Sequence, residues 1–217
     1  MLSNNHSDFW KEESEINMDK SKSKADKVKK CIIKAAAKVF SRDGFQKATV
    51  ERIAREAGYS ASSLYHYFDS KETIYRAVNQ NIGRSFVEIA EAIKSVEMPF
   101  RTRIEELTNR IFEFAENDRD YFLFFLTQRP FFEWTLDEDA GKDGFEQYRV
   151  FLTALESITS EGIREEALIR IQASDLAAFY AGIVRSFFVE WCREGAKNSL
   201  TDKTSIVVNL FFRGAER

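Results

Sequence analysis

From Thr49 to Lys71 the chain reads TVERIAREAGYSASSLYHYFDSK, a stretch dense in hydroxyl, phenol, imidazole and ammonium groups. Thr49, Ser60, Ser62, Ser63, Tyr65, His66, Tyr67 and Lys71 carry the donors and acceptors that meet phosphate oxygens and base edges in a duplex groove. Lys71 falls in the first turn of an expected helix, where free N–H groups and a cation together favour a phosphate. Plainer roles exist for some of these residues. Thr49 and Ser60 also suit simple helix caps, and Tyr67 and Phe68 also suit a core.

Two short helices must hold these groups. Val50, Ile53, Ala54 and Ala57 recur at helical spacing behind Thr49, which can cap them. Gly58 is placed to take positive φ at that helix end. Ser60 can cap a second helix, Ser60–Tyr67, whose inward stripe is Leu64 and Phe68. Asp69 or Ser70 then starts a third, with Glu72 three residues after Asp69 for a capping box. Helix, glycine turn and helix at this spacing predict a helix-turn-helix over 49–68, a pattern that on its own is common.

More residues in the same register narrow it. KCIIKAAAKVFSRDGFQKATVERIA and EAGYSASSLYHYFDSKETIYRAV resemble the DNA-binding domain of the TetR family of bacterial transcriptional regulators. The resemblance runs from about Asp26 to Gln80. It rests on Phe40, Gly44, Phe45, Thr49, Ile53, Ala54, Ala57, Gly58, Tyr59, Ser60, Leu64, Tyr65, Tyr67, Phe68, Ser70, Lys71 and Glu72. Two positions depart: Ser62 stands where many members have glycine, and Tyr59 where a smaller aliphatic residue is usual. The resemblance implies an N-terminal reader, a homodimer, and a helical body that usually binds small molecules.

Charge distribution agrees with a reader. The 217 residues carry a net charge of −3, but residues 20–76 hold 14 Lys and Arg against 6 Asp and Glu. Residues 1–19 hold one Lys and five acids, and the remainder is acidic. A basic module joined to an acidic body suits a protein that docks one part on phosphates. The two cysteines, Cys31 and Cys192, have neither disulfide nor metal spacing. Cys31 is expected on the inward face of the first helix. Acids interrupt the N-terminal stretch, so no signal peptide is expected, and no apolar run is long enough to span a bilayer. The expected location is the cytoplasm, with no membrane partner.

The fold class expected is all-α, a three-helix helix-turn-helix domain joined to a larger helical ligand-binding and dimerisation domain. Residues 1–25 read as a flexible polar tail whose lysines can touch a DNA backbone, 26–86 as the DNA-binding domain and 87–217 as the effector-binding and dimerisation domain. The first helix is expected over about 26–42, a connecting helix over 70–96, and others over 100–116, 119–129, 145–159, 164–171, 174–195 and 202–213. An acidic loop is expected over 134–144.

The chain has twenty phenylalanines, most of them in the body, and YFLFF and PFFEW are too apolar all round for a surface helix. Such residues either form a packed core or line a pocket with a few polar anchors. Candidate pocket residues are Phe112, Phe122, Phe125, Gln128, Arg129, Trp134, Phe151 and Arg185. Arg185, inside AFYAGIVRSFFVEW, is expected to be a buried cation that needs a partner. Candidate interface residues for a dimer built from the last two helices are Ala178, Gly182, Ser186, Val207, Leu210 and Phe211. With no phosphate loop, metal motif or nucleophile elbow, an enzyme, a metal and a cofactor are not expected.

The function expected is a ligand-responsive, sequence-specific transcriptional regulator. It would be a homodimeric repressor that leaves a palindromic double-stranded operator when a hydrophobic or aromatic small molecule binds. The alternative is a DNA-binding dimer without such a ligand, constitutive or gated by a protein partner, or an activator.

Overall fold

A computed structural model of the chain describes the backbone at 6–94, 96–120, 122–123 and 142–215, and the side chains there from residue 24 on, except 142–145. The elements are α1 (His6–Lys47), α2 (Val50–Ala57), α3 (Ala61–Tyr65), α4 (Lys71–Lys94), α5 (Phe100–Asn117), α6 (Lys142–Arg164), α7 (Ala173–Arg193), a 3-10 turn (Thr201–Lys203) and α8 (Thr204–Ala215). The fold is all-α: no strand occurs among the described residues, and none of their helices is long and apolar enough to cross a membrane.

α1 is helical from His6, where the sequence suggested a tail, and runs unbroken to Gly44. The segment has no Gly or Pro before Gly44 and is rich in Lys and Glu, which are good helix formers. Gly44, at φ 74, then turns the chain. α6 takes the helix expected over 145–159 on to Arg164. Gly162, which looks like a break, lies inside the helix, and a Cβ there would sit 2.4 Å from the Phe100 ring. The glycine lets α5 and α6 touch. The stretch expected as a helix over 164–171 is instead a turn, with Glu166 at φ 59 and Leu168 N–H donating back to Gly162 O. The expected 119–129 helix is present at 119–120 and 122–123, and most of the 134–144 loop lies outside the described residues.

Two apolar clusters form. The first packs Ile32, Val39 and Phe40 of α1 against Ile53, Leu64, Ile74 and Ile82. The second fills the body with Leu107, Ile111, Phe112, Leu155, Tyr180, Phe188, Trp191 and Phe211. Phe86 on α4 packs against both, so the connecting helix belongs to each domain. In the body, the buried Tyr180 hydroxyl meets Thr108 Oγ1 at 2.9 Å, and burial pushes the phenol's pKa upward. Among the described residues the buried cation is Arg103, 6% exposed, bonded to Glu161 at 2.7 Å and Glu165 at 2.5 Å. Arg185, expected to be buried, lies exposed on α7.

Candidate nucleic-acid interface

The helix-turn-helix is built by its local caps. Thr49 Oγ1 accepts from Arg52 N–H at 3.3 Å and starts α2. Gly58, at φ 75, ends it: its N–H donates to Arg55 O, and Tyr59 N–H donates to Ala54 O. This is the double closure of a left-handed C-terminal cap. Ser60 Oγ accepts from Ser63 N–H at 3.1 Å, and the two hydroxyls meet at 2.9 Å. Leu64 is fully buried and pins α3 against α1 and α2.

The recognition helix is shorter than expected. α3 stops at Tyr65, and His66 and Tyr67 continue as a turn with N–H bonds to Ser63 O and Leu64 O. Ser62, Tyr65 and His66 project into solvent, while Ser63 and Tyr67 are half-buried. Thr49 and Ser60 are exposed and act as caps. Tyr59, noted in the sequence as a departure from the family pattern but not as a site residue, is 38% exposed in the turn that leads into α3.

Lys71 does not point outward. Its ammonium donates to Phe45 O at 2.8 Å and Ala48 O at 3.0 Å, and lies 4.4 Å from the centre of the Phe45 ring. It neutralises the carbonyls where α1 ends, the arrangement that a helix C-terminus favours. The sequence placed it correctly in the first turn of α4 but could not show α1 arriving beside it. The cap of α4 is Ser70, with Thr73 as the reciprocal partner: Ser70 N–H donates to Thr73 Oγ1 at 3.0 Å, and Thr73 N–H to Ser70 Oγ at 3.2 Å. Glu72, expected in that role, is exposed; its own backbone N–H and the Ser70 hydroxyl hold its carboxyl below the usual range. Next to α2, Asp43 binds Arg42 and Arg52, and the Arg42 hydrogen bond holds its carboxyl below the usual range. Cys31 proves exposed, its thiol 3.7 Å from Ala57 O.

A family model described as bacterial regulatory proteins of the TetR family matches residues 32–78. The chain carries a TetR-family DNA-binding domain. The HTH-type transcriptional regulator YdgC of Bacillus subtilis is 32% identical over 116 residues, 51% of this chain and 56% of its own length. The nucleoid occlusion factor SlmA of Mannheimia succiniciproducens is 35% identical over 81 residues, 37% of each chain. The chain thus spans about half or less of these relatives' length. Across the whole fold, the fatty acid degradation regulator FadR of Bacillus halodurans superposes with a TM-score of 0.76 at 20% identity, covering 86% of this chain and 95% of that one. FadR of Bacillus subtilis, solved with stearoyl-CoA, gives 0.71 at 21% identity, covering 83% and 96%. At that identity the likeness concerns the fold: a helix-turn-helix domain on a helical body.

The body's candidate residues separate. Phe112, Phe122 and Phe151 are buried in its core. The Phe122 ring lies 5.1 Å from Phe188, and Phe86 meets Phe122 at 5.6 Å and Phe151 at 5.4 Å. Phe125, Gln128, Arg129 and Trp134 lie outside the described residues. A groove of about 680 Å³ opens elsewhere, at the C-terminal end of α7, between Phe187, Trp191, Glu194 and Leu200. Of the candidate dimer residues, Ala178, Ser186 and Leu210 are exposed and Gly182 half-exposed, with nothing within 4 Å of a Cβ at Gly182. Val207 and Phe211 are instead fully buried within the chain's own core. The apolar groups that α7 and α8 turn outward are Phe179 and Val189, each 44% exposed, with Ile206 at 45% and Leu210 at 46%.

Proposed function

We propose that this protein is a homodimeric, ligand-responsive transcriptional regulator acting in the cytoplasm, most simply a repressor. The observation that carries the reading is the capped helix-turn-helix with Ser62, Tyr65 and His66 projecting from α3. Each α3 reads one half of a palindromic operator, and Thr49, Ser60, Ser63 and Tyr67 support its placement. Two copies pair through the outward face of α7 and α8, where Phe179, Val189, Ile206 and Leu210 are exposed apolar side chains and Gly182 permits close approach. An apolar patch of that kind marks an association surface. Because two linked half-sites bind together, a small change in reader spacing releases the operator.

The effector in this reading is a hydrophobic small molecule. Long-chain acyl thioesters of coenzyme A come first, because a protein of the same fold was solved with stearoyl-CoA. Its binding shifts α4, which packs into both cores through Phe86. The ligand-free reading has one observation in its favour: Phe112, Phe122 and Phe151 are packed in the core.

Selection of duplexes from a randomised pool with the full chain tests the reader, and should enrich a palindrome. Ser62→Ala or His66→Ala should then change preference among sequences at one or two base pairs of each half. Stearoyl-CoA should raise the melting temperature and weaken binding to the selected duplex. A selection that enriches no sequence refutes sequence-specific regulation. A melting temperature indifferent to acyl-CoAs and other apolar compounds leaves the ligand-free reading standing.

A further inference from the structure

Residues 20–30, KSKSKADKVKK, hold six Lys and one Asp and continue into the first helix of the DNA-binding domain. Lys24, Lys27, Cys31, Lys34 and Lys38 recur at alternating spacings of three and four, so they share one face of α1. Contacts fix where that face lies. Lys38 pairs with Glu56 at 2.5 Å, and Cys31 Sγ sits 3.7 Å from Ala57 O, so α1 passes the C-terminus of α2 between these two residues. Lys34 is bound to Asp118 of the body at 2.8 Å. N-terminal to Cys31, α1 continues past the contact with the end of α2. There Lys24 and Lys27 on this face, and Lys30, one residue before Cys31, are exposed, and no acid pairs with them among the described residues. Between Lys24 and Cys31 the helix rises about 10 Å. Exposed Tyr59 lies in the turn between α2 and α3.

We propose that Lys24, Lys27 and Lys30 form a second phosphate-binding surface, which grips the duplex backbone beside the segment that α3 reads. The proposal rests on the DNA-binding reading above and extends its footprint from the recognition helix to α1. The charges divide the face functionally. Lys34 and Lys38 are neutralised within the protein and hold α1 in place. Lys24, Lys27 and Lys30 keep their charge for the ligand. Point charges on flexible stems suit phosphates and carry no base preference, so the surface strengthens binding to every sequence alike.

Salt dependence tests this on the full chain. The triple variant Lys24→Gln, Lys27→Gln, Lys30→Gln keeps good helix formers and removes three charges. Binding of wild type and variant is measured across salt on a mixed-sequence 30-bp duplex and on a duplex selected from a randomised pool. Three lost phosphate contacts should make the slope of log affinity against log salt shallower by about 2.7 per chain, equally on both duplexes. The control Lys197→Gln with Lys203→Gln, in the body, should leave the slope unchanged. An unchanged slope in the triple variant overturns the α1 surface, and so does a loss confined to the selected duplex. A control that lowers the slope as much overturns it too, because net charge then explains the effect. A wild-type chain that binds neither duplex, or binds only vesicles of anionic phospholipid, overturns the DNA reading itself.

Discussion

Lys71 offers the sharpest test of how tertiary contacts reassign a residue. Its ammonium makes two charge-assisted bonds, at 2.8 and 3.0 Å, to carbonyls where α1 ends, and it lies over the Phe45 ring. Lys71→Met keeps the alkyl stem against Phe45 and deletes only the charge. A hydrogen bond to a charged group contributes about 1.5–3 kcal/mol net. The site is half-buried, so water can reach the released carbonyls and the lower end applies. Loss of about 2 kcal/mol is expected, which for a chain of this size lowers Tm by about 4–8 °C. Thermal or urea unfolding of the full chain reads it. Duplex binding, measured below the new Tm, should keep its salt slope, because the deleted charge was already occupied by the protein. A free lysine at a phosphate behaves oppositely: Tm holds and the slope falls by about 0.9 per chain. That second pattern would refute the bonding described for Lys71.

Gly182→Leu costs the single chain little, since open space surrounds a Cβ there, but it should separate two copies and convert a sedimenting dimer to monomer. A variant that stays dimeric moves the interface off α7. Gly162→Ala forces the Phe100 ring away from a Cβ only 2.4 Å distant and should destabilise by about 1–3 kcal/mol in chemical denaturation. Asp43, held below the usual carboxylate range by Arg42, contributes stability that is present above its unfolded pKa of about 3.9 and is lost as pH falls through its lower folded value. Asp43→Asn should therefore flatten the acid limb of a stability-against-pH curve below about pH 4.

The reader's framework was legible because its signals are local. Thr49, Gly58 and Ser60 act on amides within three or four residues, so the order of residue types already contains the geometry. The extent of α3 was not. After Tyr65 the backbone turns to pass Phe68 toward α4, and a single helical turn carries too little periodicity to mark where it stops. The body was legible as helices but not as faces. α7 is apolar on two sides, one buried through Tyr180, Val184, Phe188 and Trp191, the other exposed through Phe179 and Val189. Periodicity shows which residues share a face, and it is silent on which of two apolar faces meets the core. Hence Val207 and Phe211 proved to be core, while Ile206 and Leu210 look outward.

By itself the sequence determined the all-α class, the capped helix-turn-helix and the charge asymmetry between its two parts. Each follows from residue type and short-range spacing. Tertiary structure alone decided that Lys71 serves α1 rather than solvent, and that the buried cation is Arg103 rather than Arg185. In each case the partner lies far along the chain: 26 residues for Lys71 and Phe45, 58 and 62 for Arg103 and its two glutamates. A charge's role depends on what packs beside it, and only the folded chain brings such distant groups together.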